Sequence, residues 1–558
     1  MPDAITRRHF LKLVSTAATV SLLSACAPSA QPAPTATPKP AETTKPAAPA
    51  ATQAPKPAAT AGPAATQAPA ATVKPAAGPK KGGTFTLARV SALQHFSPYS
   101  LNPGTYPLLH SLWDTLVYYD QTLTPKPQLA ESWQVAPDSK SITLKLRQGV
   151  RFHSGREFTS ADVQPSLYFG QTDERSIMAA LLKQVTKVDT PDKYTVVLNF
   201  ANPTPLAFDV LDVLYIIDKE TIEQRATTAI GTGPFKIARY VPNDVIEMVA
   251  FQDYWDKGKP YLDKYIVRQV PDVSALALNL EAGAIDCAYQ ISISDTVRLK
   301  AGGKYLVNSG TPGTGQFDVG INVSMEPLTN KKLRQAISHS IDRDRFAKTI
   351  LGGLVEPTTL LWPKNSWAYF ADLQGKMGYD LDKARSLLKE AGYEKGFPLE
   401  ILATTDLIPY TAELAQIMQA DLKKIGIDAK VLDLEGAQYQ ARTQTKRDMQ
   451  VISHSYGRAS RDPGSLLTGA KSWYTGKEGS WTHFDSPEYE RLRSELQTTL
   501  DREKRKVIAR AIQELVLDEC FSIPVAPVPI AFVYGSYVKG FDISIENSPL
   551  TSSIWLDK

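Results

Sequence analysis

Cysteine is nearly absent: Cys26, Cys287 and Cys520 are the only three in 558 residues. Cys287 and Cys520 lie 233 positions apart and make no disulfide framework, so two separate buried thiols are expected. No apolar run is long enough to cross a bilayer as a helix, which takes roughly 20 residues. The seven histidines include no His-Glu-x-x-His segment and no close metal-type pair. A Gly-x-Ser-x-Gly elbow is also missing, and the many acidic residues are spread along predicted helix faces. Without a nucleophile–base constellation no enzyme is expected, and no cofactor or metal is implied.

Positive charge is scarcer than the formal net charge of +4 suggests. Residues 1–25 contribute +2 and residues 26–81 contribute +5, which leaves about −3 on everything after. That balance removes the basis for a nucleic-acid partner. Residues 27–81 also lack leucine, isoleucine and every aromatic, and are almost wholly Ala, Pro, Thr, Gln and Lys. Such a segment cannot bury enough apolar surface to offset its ordering entropy. It is expected to be an extended tether, reaching at most roughly 170 Å at 3.1 Å per residue.

What stands before the tether is an export signal. Arg7, Arg8 and Lys12 form a basic head, Leu13 to Ala25 carries no charge, and Leu23-Ser24-Ala25 puts small residues before Cys26. Thr6-Arg7-Arg8-His9-Phe10-Leu11-Lys12 resembles the twin-arginine motif, which implies export of a folded protein. Leu23-Ser24-Ala25-Cys26 resembles a bacterial lipobox, which implies cleavage before Cys26 and lipid on its sulfur. Residues 1–26 are thus expected to be signal and lipidation site.

About 477 residues follow from Gly82, enough for two or three domains. The first half reads as strand-rich: Gly82 to Leu87, a hairpin from Leu129 to Arg147 turning at Pro137-Asp138, and Val196, Leu198 and Phe200 in alternation, with a helix near Ser160 to Phe169. From Lys331 helices alternate with short strands. Leu333, Ile337 and Ile341 share one helical face. Asp380 caps a helix that Gly392 ends, Gly426 stops another, and Ser486-Pro487 opens a third. Ile427, Ala429 and Val431 mark a strand, and residues from Val507 to Val516 supply a last long apolar face. The class is α/β.

Several segments occur in an order that resembles a known family. They are Leu129-Ala130-Glu131-Ser132-Trp133, Leu146 to His153, Gly231-Thr232-Gly233-Pro234-Phe235-Lys236, Asp253-Tyr254-Trp255, Gly258-Lys259-Pro260, Gln335-Ala336-Ile337 with Ile341-Asp342-Arg343, Tyr379 to Ala384, and Leu388 to Tyr393. Together they resemble the extracellular solute-binding proteins of ABC importers, peptide/opine/nickel type. The resemblance implies a two-lobe periplasmic-binding-protein type II-like fold with an extra subdomain in lobe one. Lobe one would be 82–319 plus 527–558, with 116–228 the extra subdomain, and lobe two 320–526. It further implies a monomer that encloses a small organic solute between the lobes and passes it to the transmembrane subunits of a permease. A secreted hydrolase or a ligand sensor on the same scaffold are the competing classes.

Gly231-Thr232-Gly233 is also a phosphate-loop look-alike, but Pro234 removes a backbone donor and no Lys-Ser/Thr follows, so a tight structural turn is expected. His153 and His339 sit inside motifs and are expected to hold the fold. The informative stretch is His454-Ser455-Tyr456-Gly457-Arg458-Ala459-Ser460-Arg461-Asp462-Pro463, which in the family follows a lobe-two strand and faces the cleft. Peptide-binding members read Trp-x-Ala-Asp-Tyr-x-x-Pro there, the aspartate pairing with the peptide's amino terminus. Aligned on Pro463, that aspartate position holds Ala459 and the tryptophan position holds Tyr456. Arg458 and Arg461 stand near instead, forks that suit a carboxylate or phosphate, or that pair with Asp462 or other acids at the rim. His454, Tyr456, Gly457, Arg458, Arg461 and Asp462 are therefore candidate ligand residues. Trp362, Trp367, Trp473 and Trp481, in loop-like settings, are candidates too, either as ligand contacts or as core.

Overall fold

The computed structural model describes residues 78–93, 95–100, 104–224, 228–310, 315–457, 461–469, 471–475 and 479–558. Cys26, the leader, the tether up to residue 77, and the positions Arg458 and Ala459 lie outside the described residues.

Two mixed sheets organise the molecule. The first has seven strands, in the order Tyr305–Asn308, Phe532–Gly535, Cys287–Tyr289, Thr84–Arg89, Lys264–Gln269, Val245–Ala250, Phe235–Val241. Thr84–Arg89 is central and runs parallel to both neighbours. The second sheet has five strands, ordered Asp428–Asp433, Pro398–Ala403, Val451–Gly457, Gly315–Ile321, Ser522–Pro527. Each sheet carries its own apolar core, around Phe85, Leu112 and Tyr265 in one lobe and Phe317, Ile337 and Ile401 in the other. A four-stranded antiparallel sheet, Ala130–Val135, Ser141–Leu146, Thr195–Phe200 and Val185–Asp192, forms an added layer on the first lobe.

The chain passes between the sheets after Asn308 and again after Pro527. These two connections are bonded to one another, Val528 N–H donating to the Gly315 carbonyl at 2.8 Å and Ile530 N–H to the Ser309 carbonyl at 3.2 Å. The strands Gly315–Ile321 and Ser522–Pro527 both belong entirely to the second sheet.

Local chemistry sets the elements. Thr159 and Asp162 form a capping box at the turn leading into the helix Val163–Thr172. Asp380 accepts the Lys383 N–H at 2.9 Å and starts Leu381–Glu390, and Gly392 follows with φ +80°. Ser486 caps Pro487–Thr498. The face drawn from Leu333 through Ile341 is cut short: the helix ends at His339, because Asp342 accepts the Arg345 N–H at 2.9 Å and opens a new turn. Cys287 and Cys520 are free, buried thiols on different lobes.

The segments with the most distinctive spelling converge on one buried carboxylate. Asp114 accepts from Thr232 Oγ1 at 2.9 Å, Trp255 Nε1 at 2.9 Å, Gln128 Nε2 at 2.8 Å and the Tyr254 hydroxyl at 3.4 Å. Burial pushes Asp114 up to about 6 against the pull of these donors. His153 packs into the same corner, its ring nitrogen 3.0 Å from the Gly233 carbonyl, and burial pushes it down to about 4. His339 likewise bonds the Gly378 carbonyl at 2.8 Å. These motifs are fold chemistry.

Candidate functional site

The strand Val451–Gly457 carries the first candidates because its alternation aims successive side chains to opposite faces of the sheet. Tyr456 points to the face shared with Gln316, its cross-strand partner. Its hydroxyl donates to the Leu361 carbonyl at 3.4 Å and its ring meets Trp473 edge-on at 5.3 Å. Trp362 and Trp473 are fully buried in this cluster. Trp362 Nε1 donates to the Pro463 carbonyl at 3.3 Å. Both indoles are therefore packing groups here, the second of the two roles open to them. Trp367 differs: it is half-buried at the cluster's edge, with the guanidinium groups of Arg505 and Arg502 5.0 and 5.5 Å from its ring.

His454 is wholly buried in the second lobe. Its Nε2 lies 3.1 Å from Asp318 Oδ2 and 3.3 Å from Ser472 Oγ, its Nδ1 is 3.1 Å from the Ser455 carbonyl, and Trp481 meets it edge-on at 4.6 Å. A hydrolytic relay needs the acid and the serine on opposite ring nitrogens. Both face Nε2 here, and no part of the group reaches solvent. Trp481 is half-buried against Leu402, Tyr439 and Ile452. Gly457 ends its strand exposed, opposite Gly315.

The remaining candidates sit where the lobes meet. Arg461, on lobe two, is 1 % exposed. Its guanidinium pairs with Asp212 at 2.9 Å and with Glu546, and donates to the Asp209 carbonyl at 3.5 Å, all on lobe one. Ser465 of lobe two donates to the Asp209 carboxylate, which also accepts the Tyr119 hydroxyl at 2.9 Å. Burial pushes Asp212 up to about 6 against the pull of Arg461, and burial together with Asp462 raises Asp209. Burial alone would lower Arg461, but Glu546, Asp212 and Asp209 hold it above its usual range. Asp462 is committed elsewhere, gripping Arg505 with both oxygens at 2.8 and 2.5 Å and accepting the Gly464 N–H at 2.9 Å.

Two grooves are lined by residues of both lobes. One of about 300 Å³ runs between the added layer and lobe two and is lined by Tyr119, Phe208, Trp367, Asp462, Arg502 and Arg505. The other, about 220 Å³, lies beside the two crossings and is lined by Gly310, Gln316, Glu356, Lys364, Tyr369 and Val528. Among the described residues no His/Cys/Asp/Glu group is arranged to hold a metal ion. The sequence reading missed Asp209, Asp212 and Glu546. The first two carried a signal, two acids three residues apart inside the apolar run Ala207–Val213. Glu546 carried none, being brought to Arg461 from 85 residues away.

A sequence profile of the bacterial extracellular solute-binding proteins, family 5 Middle, matches residues 124–478. The chain belongs to this family. It is a solute-binding protein of the ABC-importer class, peptide/opine/nickel type, with a two-lobe α/β fold. Heme-binding protein A of Haemophilus influenzae is 26% identical over 484 residues, 79% of this chain and 87% of that protein. Among solved structures, the periplasmic binding protein DppA from Helicobacter pylori, in complex with peptide STSA, is 26% identical with a TM-score of 0.69, covering 86% of this chain and 99% of that one. AgaA from A. tumefaciens R10, in complex with agropinic acid, is 25% identical with a TM-score of 0.69, covering 85% and 99%. These family 5 relatives are binding proteins rather than enzymes. Their cargoes differ from one another, so family membership leaves the cargo of this solute-binding protein to its own residues.

Among the described residues no helix is long and apolar enough to cross a membrane.

Proposed function

We propose that this chain is a membrane-anchored receptor that captures a small organic solute between its lobes and delivers it to an ABC permease. Cys26 would carry the lipid after twin-arginine export, and residues 27–81 would hold the lobes away from the bilayer. The lobes would divide at the two crossings, with the four-stranded layer as the extra subdomain of lobe one. The observation that carries this reading is the pair of α/β lobes joined, among the described residues, by two adjacent crossings, with grooves lined from both. Such a hinge closes around a ligand and removes it from water.

The cargo we infer is peptide-like, opine-like or an oligosaccharide, but not an unmodified peptide. Ala459 occupies the position where peptide-binding members keep the aspartate that anchors the amino terminus. Asp462, the nearest substitute, is held by Arg505 and caps Gly464, which opposes its moving into that place. Loss of one charge-assisted hydrogen bond weakens binding by about ten- to a hundredfold. Arg461 is occupied by acids of lobe one, so we assign Arg458, the other candidate fork, to a carboxylate or phosphate of the cargo, with Trp367 lining the groove toward a planar or sugar-like group.

A thermal-shift screen tests the ligand class. A ligand present at 100 times its dissociation constant stabilises by about 2.7 kcal/mol. Free di- and oligopeptides are expected to give little shift, and opines or acidic oligosaccharides a clear one. Strong stabilisation by free peptides that Asp462→Asn abolishes would contradict the inference, since the amino anchor would then have moved by three residues.

A further inference from the structure

Arg461 stands out among the charged groups of the molecule. It is carried by lobe two, is 1 % exposed, and spends its guanidinium on lobe one. The seat it enters is built from two distant stretches. Asp209 and Asp212 come from the helix Ala207–Val213, and Glu546 comes from the segment after the strand Phe532–Gly535. Tyr119 fixes the two aspartates, donating its N–H to Asp212 at 2.8 Å and its hydroxyl to Asp209 at 2.9 Å. Ser465 seals the seat from lobe two. Two carboxylates, Asp212 and Glu546, pair with the one guanidinium, and Asp209 adds its backbone carbonyl while its carboxylate is held by Tyr119 and Ser465. The neighbouring Asp462 is already paired with Arg505. Uncompensated charge in a buried place is costly, so a seat with this composition demands a cation. No other basic side chain is paired with Asp209, Asp212 or Glu546 among the described residues.

We propose that Arg461 is an internal latch: its guanidinium fills an acidic seat on lobe one, holds the lobes together in the absence of cargo, and occupies the place that a guanidinium or ammonium group of a solute would otherwise take. Two consequences follow from the geometry. The resting protein is closed rather than open, and cargo enters by displacing an intramolecular ion contact, which lowers apparent affinity by the cost of breaking it. Solutes with a cationic head are rejected, because the seat that suits them is filled by the protein itself. Removing Arg461 should therefore create a binding site for small guanidinium ions.

This latch rests on the binding-protein reading for its meaning, but its test needs no cargo. Spin labels are placed on the exposed positions Tyr168 of lobe one and Val507 of lobe two, as Tyr168→Cys and Val507→Cys. The label-to-label distance is then measured in the purified protein after cargo has been stripped. With Arg461 intact a single short distance is expected. With Arg461→Ala the closed-to-open ratio is expected to fall by about ten- to a hundredfold, the worth of one charge-assisted hydrogen bond. Methylguanidinium at millimolar concentration should restore the short distance in Arg461→Ala and leave the parent unchanged. The double variant Asp212→Asn, Glu546→Gln removes the seat instead of the cation, and should open the lobes without responding to methylguanidinium. Far-UV circular dichroism confirms that each variant is folded. An unchanged distance in both variants overturns the latch, as does Arg461→Ala that opens but ignores methylguanidinium. Either failure leaves solute capture standing, whereas capture itself fails only if no solute binds.

Discussion

Gly231→Ala unfolds lobe one at temperatures the parent survives. A Cβ built on Gly231 would stand 2.1 Å from the Leu112 carbonyl oxygen and 2.6 Å from Trp113 Cδ1. The obstructing oxygen is backbone and is already in use, accepting the Gly233 N–H at 3.1 Å. On the other side, the Gly231 carbonyl accepts the His153 N–H at 2.9 Å and its N–H meets His153 Nδ1 at 3.3 Å. The segment therefore cannot retreat without breaking hydrogen bonds on both faces and pulling Thr232 from Asp114. Overpacking costs about 1–3 kcal/mol, and each buried hydrogen bond lost adds about 1 kcal/mol. A total of about 3–5 kcal/mol lowers the melting temperature by about 3–5 °C if the lobes melt together, and by more if lobe one melts alone. Gly302→Ala is the control: its nearest neighbour would be 3.5 Å away, and it should melt with the parent. A Gly231→Ala protein that melts with the parent would contradict the close-approach account of this motif.

Cys26→Ala moves the protein from the membrane to the soluble fraction without changing its melting curve. Acyl chains embed at about 0.8 kcal/mol per buried methylene, so the lipid supplies nearly all of the membrane affinity proposed for this chain. Cys26 lies 58 positions before Thr84, where the first strand among the described residues begins, so the melting of the lobes is expected to be that of the parent. The six lysines of residues 27–81 supply a second, weaker attraction to anionic lipid, and salt screens it. Fractionation after a high-salt wash separates the two. Retention of Cys26→Ala on washed membranes would contradict the lipid anchor.

How far the sequence could be read depended on the range over which each feature is determined. The hairpin from Ala130 to Leu146, the Asp380 cap and the Ser486-Pro487 start are local, and each element forms where its residues ask for it. The role of Gly231-Thr232-Gly233 was legible because Pro234 and the lack of a following lysine argued against phosphate. That Gln128, Thr232, Tyr254 and Trp255 meet at Asp114 was not legible, since these donors come from stretches up to 141 residues away. Trp362 and Trp473 stand in loop-like settings in the sequence, which left ligand contact and core packing both open. They are buried because the helices Pro487–Thr498 and Arg502–Glu519 lay Tyr489, Leu492, Ala509 and Ile512 over them. Arg461 was singled out for its fork, and the alternative of pairing with acids is the arrangement present. Its partners on lobe one belong to tertiary structure, which no local pattern encodes.

The central claim is capture without chemistry, and native mass spectrometry of the purified chain tests it most directly. Protein taken straight from cells is expected to carry one small organic solute per chain. On unfolding, that solute should be released with the same mass it has after prolonged incubation with excess protein. A solute that converts to a product of different mass during that incubation would contradict the account and make this scaffold a catalyst.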